Sequence, residues 1–110
     1  MSGAVLRSHR SPSVVDQWHD HIQVSSPIPC HAQLQGILEL HLYADGYRIG
    51  DLLPSAMQLA RRFNLSRATV HRAMDALLAL GLVRRRLGVG TVLIRQPSSP
   101  GRLAGLMQSF

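Results

Sequence analysis

The stretch SAMQLARRFNLSRATVHRAMDALLALG, residues 55–81, decides the fold. It contains two closely spaced helix starts. Ser55 is followed three residues later by Gln58, the Ser-x-x-Gln capping box in which side chain and backbone bond each other across the first turn. Met57, Leu59, Ala60 and Phe63 then supply an apolar face at helical spacing, ending near residue 63. Asn64-Leu65 makes a tight turn, and Ser66 is a second N-cap. Val70, Ala73, Met74, Leu77 and Leu78 line one side of a longer helix, and Gly81 stands where a left-handed residue ends it. Two helices joined so tightly predict a helix-turn-helix.

Toward the C-terminus, Leu82-Val-Arg-Arg-Arg86 and Thr91-Val-Leu-Ile-Arg95 are β-prone runs on either side of Leu87-Gly-Val-Gly90, which predicts a hairpin over 82–95. Toward the N-terminus, Leu34, Ile37, Leu38 and Leu42 form one stripe, with Pro29 suited to a first helical position and Gly46 to a stop. This predicts a helix over 30–44, followed by a loop from Tyr47 to Leu53. Residues 1–27, rich in Ser and Pro with no sustained period, read as a poorly ordered arm that has room for a short helix around Val14 to Val24. Trp18 is its one large apolar residue. Residues 96–101 (QPSSPG) read as a linker. The expected fold is mainly α with a small β-hairpin, a winged helix-turn-helix over 28–95. With 110 residues and 45% hydrophobic side chains, the chain suits one small domain.

The charge is concentrated in the same stretch. All 12 basic side chains are arginine. Residues 61–95 hold Arg61, Arg62, Arg67, Arg72, Arg84, Arg85, Arg86 and Arg95 against Asp75 alone, whereas residues 1–60 are slightly acidic. With so few acids for i,i+4 pairing, the stretch reads as a surface for a polyanion rather than a merely solvated face. The second helix would offer Arg67, Thr69, His71 and Arg72 opposite its buried stripe, with the free N–H groups behind Ser66 open to a phosphate. Arg84, Arg85 and Arg86 precede the wing turn; alternation along a strand keeps all three from facing one duplex. Gly88 and Gly90 would let the wing backbone approach the sugar-phosphate chain, so valine at either should harm binding more than folding.

These residues resemble the winged helix-turn-helix of GntR-type bacterial transcription regulators. The resemblance is carried by Gly50-Asp-Leu-Leu-Pro-Ser55, Leu59-Ala60, Leu65-Ser-Arg-Ala-Thr-Val70, Ala73, Leu77, Gly81-Leu-Val and Gly88-Val-Gly-Thr91. It implies a sequence-specific DNA-binding regulator, with helix 66–80 in the major groove and wing 84–92 on the backbone and minor groove. It adds Ser55 and Thr91 to the expected DNA-contacting set. It further implies a repressor-like homodimer on a palindromic operator, and a small-molecule effector domain that would follow this chain in a longer form. The closing Leu103-x-x-Leu106-x-x-Ser109-Phe110 is similar to the linker entering that domain in the HutC-type subgroup. Arg67 matches the family's DNA-contacting arginine. His71 stands where a second arginine is usual, Ala56 where glutamate is, and Met57 where some members place a further basic contact.

Other function classes have little in the sequence to carry them. No Ser/His/Asp or Cys/His arrangement supports catalysis, so no enzyme activity is expected. His19-x-His21 and Cys30-His31 offer one thiol and no motif, so neither metal nor cofactor is expected. No apolar run reaches the length of a membrane span, and no h-region follows Arg7 and Arg10, which points to the cytoplasm. The alternatives are a winged-helix protein-interaction module and a truncated regulator without ligand sensing. As a single reading unit, the 110-residue chain is expected to be mainly monomeric at micromolar concentration.

Overall fold

The computed structural model describes residues 12–99. Three helices and a hairpin follow a short 3-10 turn at Pro12–Gln17: α1 Cys30–Ala44, α2 Ala56–Phe63, α3 Arg67–Ala79, β1 Val83–Arg86 and β2 Gly90–Leu93. This is the expected winged helix-turn-helix. The HutC-like tail at 103–110 lies outside the described residues.

The local signals act as their chemistry requires. The Ser55 hydroxyl accepts from the Gln58 N–H, and the Gln58 side chain accepts from the Ser55 N–H. Ser66 accepts from the Thr69 N–H. Between the helices Asn64 takes the left-handed conformation at φ 55°. At the end of α3, Gly81 has φ 74°, its N–H donates to Leu78 O, and the Leu82 N–H reaches back to Leu77 O. That is the paired C-terminal closure that glycine makes cheap.

Helix α3 packs on both α1 and α2. Val70, Ala73 and Leu77 are wholly buried, facing Leu34, Ile37 and Leu38 of α1, Leu59 and Phe63 of α2, and Leu93 of β2 in one core. β1 and β2 are antiparallel, pairing Val83 with Leu93 and Arg86 with Gly90. The expected loop before α2 joins this sheet. Leu52 bridges Val92, while Gly50 N–H donates to Leu93 O and Leu53 N–H to Thr91 O, each at 2.8 Å.

The segment before α1 differs from the loose arm expected over 1–27. Residues 1–11 lie outside the described residues, but beyond them Val15 and Trp18 are buried in the core. Three polar side chains hold the segment down. Gln33, buried on α1, accepts from the Gln23 N–H and donates to Gln23 O and Ile28 O. Arg62 of α2 donates to Trp18 O and Asp20 O. His41 of α1 stacks on the Trp18 indole, centroids 3.9 Å apart, and donates from its two ring nitrogens to Asp20 and Asp45, each at 2.6 Å. Ionised carboxylates only accept, so this geometry favours hydrogen on both nitrogens, the imidazolium form. Burial opposes that charge, but the two carboxylates outweigh it and raise the His41 pKa above its ordinary 6.5. The hydrogen bond from His41 lowers the pKa of Asp20.

A pH dependence follows. The His41 contribution is complete below the unfolded pKa near 6.5 and disappears as pH rises through the higher folded value. The Asp20 contribution runs the other way, present above its unfolded value near 3.8 and lost as pH falls through the lower folded one. The latch is therefore strongest between those limits. His41→Gln should cost about 1.5–3 kcal/mol near pH 6, the range for hydrogen bonds to charged groups. The cost should shrink above neutrality. Denaturant melts of both proteins across pH 5–9 measure it; a cost that does not change with pH means the imidazolium is not the holding species.

Candidate nucleic-acid interface

The buried stripe of α3 dictates what its other side presents. Ser66, Arg67, His71 and Arg72 are exposed, and Thr69 is half-buried with its hydroxyl 2.9 Å from that of Ser66. Arg67, His71 and Arg72 thus share the solvent side of the first two turns of α3, beside N-terminal N–H groups. The side chains of Arg67, His71 and Arg72 bond to no other described residue.

The three arginines of β1 divide as strand alternation requires. Arg85 lies on the side of Val83 and pairs with Asp75 of α3 at 3.0 Å. Arg84 and Arg86 project from the other side, both exposed. The Arg85–Asp75 pair is open to solvent and is worth well under 1 kcal/mol or so, little enough for a phosphate to replace it.

Ser55 and Thr91 come together across a cleft of about 240 Å³, lined by Leu52, Leu53, Ser55, Ala56, Gln58, Val89, Gly90 and Thr91. The N-terminus of α2 therefore opens toward the wing. Gly88 and Gly90 sit at the tip with φ 76° and 126°. Each has a local reason to be glycine, apart from the expected close approach to DNA. At Gly88 an added Cβ would meet open space, so only the backbone conformation requires glycine. At Gly90 an added Cβ would also lie 3.1 Å from Leu52 Cδ1, so glycine here keeps the wing packed on the loop.

The sequence reading also placed Met57 on the apolar face of α2. It is instead 52% exposed, because Leu59 and Phe63 alone complete the buried side of this short helix. Arg62, counted with the basic surface, is turned inward to the backbone of Trp18 and Asp20. Arg95 likewise donates to Leu80 O. Leu87 and Val89, fully and largely exposed at the tip, are side chains of this surface that sequence reasoning passed over; their signal was two apolar residues inside a turn.

Residues 31–93 match the model of the family "Bacterial regulatory proteins, gntR family". Over 51 residues the chain is 49% identical to "Probable transcriptional regulator PhnF" of Escherichia coli, covering 46% of this chain and 21% of that protein. It is 43% identical over 67 residues to "HTH-type transcriptional repressor PhnF" of Mycolicibacterium smegmatis, covering 57% of this chain and 27% of that one. The chain thus spans about a fifth to a quarter of the length of these relatives. The fold matches the AraR DNA-binding domain, solved in complex with operator ORX1, at TM-score 0.59 and 23% identity, over 68% of this chain and 99% of that one.

Gly90→Ala should destabilise the domain by about 1–3 kcal/mol, since it combines a strained φ with the Leu52 contact. Gly88→Ala should cost only the left-handed backbone term, about 1–2 kcal/mol. Urea titrations rank the two. Equal stabilities would show that the Leu52 contact does not hold the wing, and a loss of DNA affinity in Gly90 variants is to be read only after folding is corrected for.

Proposed function

The chain belongs to the GntR family of bacterial regulatory proteins, its winged helix being the DNA-binding domain of such a transcription regulator, and on that premise we propose how it engages an operator. Helix α3 lies in the major groove, with Arg67 reading a base edge and Thr69, His71 and Arg72 at bases or phosphates. Ser55 and Ser66 place helix N-termini against phosphates. Arg84 and Arg86, on one side of β1, follow the backbone, and Gly88 to Thr91 enter the minor groove. The carrying observation is the joint exposure of Arg67, His71 and Arg72 opposite the wholly buried Val70 and Leu77. With Val70, Ala73, Met74 and Leu77 buried, the exposed side of α3 is left for a ligand, and its first two turns are cationic.

The regulator works in the cytoplasm as a homodimer on a palindromic operator. A single wing with its recognition helix covers about 600–1,000 Å² on DNA, so useful affinity comes from two half-sites about one helical turn apart. An effector-binding domain in a longer form would supply much of the pairing and the ligand sensing. The repressor named among the relatives supports a repressor role.

Arg67→Ala should weaken binding to a selected operator by about 1–3 kcal/mol and relax preference at one base pair. An even loss across all sequences would mark Arg67 as a phosphate contact, and unchanged affinity would remove it from the interface. In the segment 61–95, Arg61, Arg67, Arg72, Arg84 and Arg86 make no side-chain bond to another described residue. With Arg67 at a base edge and each of the other four neutralising one phosphate, the log–log salt dependence has a slope of about −3 to −4 per bound chain. A shallow slope, measured by fluorescence anisotropy between low and moderate salt, favours a protein-interaction module instead. Sedimentation of the chain alone should find mostly monomer at micromolar concentration; a tight dimer without DNA refutes that part.

A further inference from the structure

Two apolar side chains stand at the most advanced point of the wing. Leu87 is fully exposed and Val89 is 57% exposed. They flank Gly88 in the turn beyond the last strand pair, Arg86 with Gly90. Three residue steps of β1 carry that turn about 10 Å beyond Val83, clear of the core. The crook of the hairpin, lined by Arg85 to Thr91, is a shallow concavity open to solvent. Single exposed leucines are ordinary, but two within one narrow turn make an apolar point on an arm that is otherwise cationic.

The surrounding charge selects the occupant. Arg84, Arg85 and Arg86 lead into the tip, no acidic residue lies between Asp75 and Phe110, and Asp75 itself pairs with Arg85. The partner must therefore have an anionic rim around a slot that accepts hydrocarbon. The DNA minor groove has that form: phosphates along both edges, a width of about 6 Å, and a floor into which apolar side chains of other proteins insert. At A·T pairs the floor carries only acceptors, whereas each G·C pair adds the guanine N2 amino group. A leucine or valine pressed against that amino group blocks it sterically and leaves a donor without a partner, which is costly.

We propose that Leu87 and Val89 form an apolar wedge that enters the minor groove beside the base pairs met by α3, and that it selects A·T pairs there. The inference rests on the proposed docking of α3 in the major groove and of the wing in the minor groove, and adds to it the side chains and the base-pair preference of the wing.

The test uses the 110-residue chain and a half-site obtained by in vitro selection. Flanking pairs under the wing are set to A·T, G·C or I·C; inosine removes the minor-groove amino group while leaving the major-groove O6 and N7. The wild type should bind A·T and I·C flanks alike, about fivefold or more tighter than G·C flanks, the low end of a single-pair effect. In Leu87→Ser/Val89→Ser the difference should fall below about twofold, a threshold set well under that single-pair effect, with half-site preference and salt slope kept. Leu87→Ser alone should lie between. Arg67→Ala should do the reverse, relaxing the half-site and keeping the flank preference. The wedge is wrong if the double variant discriminates flanks as the wild type does, or if the wild type ignores them while still selecting a half-site. Both results leave the α3 docking standing. Wild type that prefers no sequence at all overturns the docking and the wedge together. A double variant that binds every duplex as wild type but loses self-association in sedimentation overturns the wedge in favour of a contact between copies.

Discussion

Everything in this domain depends on the burial of one stripe of α3. Val70, Ala73, Met74 and Leu77 are almost wholly enclosed between α1, α2 and the wing. Removing the side chain of a buried leucine such as Leu77 typically costs about 2–5 kcal/mol, a large fraction of the stability of a small domain. The same stripe also fixes rotation. Because residues three and four apart share a face, burying these four turns Arg72 outward and His71 to the edge of the stripe, while Arg67 is exposed as the first residue of the helix, ahead of the packed turns. Stability and the choice of reading face are consequences of a single packing decision, so a change at Ala73 alters both.

The segment before α1 adds a different kind of constraint. It contributes Val15 and Trp18 to the core but little regular structure, so side-chain hydrogen bonds from the helices satisfy much of its backbone. Gln33 takes two of its carbonyls and one N–H, and Arg62 takes two more carbonyls. Polar groups buried this way must be paired, and a fully paired network fixes one geometry where apolar contact would tolerate several. Since Arg62 belongs to the first helix of the helix-turn-helix and His41 to α1, the strap ties together the two helices that support α3. Arg62 also lies over the Phe63 ring, 4.6 Å from its centroid, which keeps its guanidinium directed away from solvent.

What was legible in the sequence is what is local. Ser55 with Gln58, Ser66 with Thr69, Asn64 in the turn and Gly81 behind α3 act within a few residues of themselves, and each was readable from spacing alone. The buried stripes of α1 and α3 were readable from their period. Contacts across long sequence separations left no pattern. His41 reaches Asp20, Arg62 reaches Trp18, and Leu52 bridges Val92, and in each case the partner could have been any of several similar residues. Trp18 was noticed as the lone large apolar side chain before α1, yet a 3-10 turn with extended chain has no period to announce that it is buried. Met57 misled because helical spacing alone does not say how wide the buried face is; on an eight-residue helix Leu59 and Phe63 suffice. The charge count misled in the same way, since arginine serves carbonyls and phosphates with the same planar fork.

The long-range bridge at Leu52 matters most for the interface. A hairpin of four-residue strands attached only at its base would swing as a unit, since two-stranded ribbons are marginal on their own. Here β2 also pairs with 50–53, and Gly90 brings its backbone against the Leu52 side chain. Two residues after Leu53 stands Ser55, the cap of α2. The wing tip and the N-terminus of α2 are thus joined through three backbone hydrogen bonds and one close packing contact, independently of α3. α3 is in turn fixed to α2 by the Asn64 turn and the shared core. The three parts that would touch a duplex, α2 cap, α3 face and wing, form a closed ring of short connections. Rigid placement of this kind reduces the ordering cost of binding and raises affinity without adding a contact. It also gives Gly90 a packing reason to be glycine, separate from any contact with the ligand.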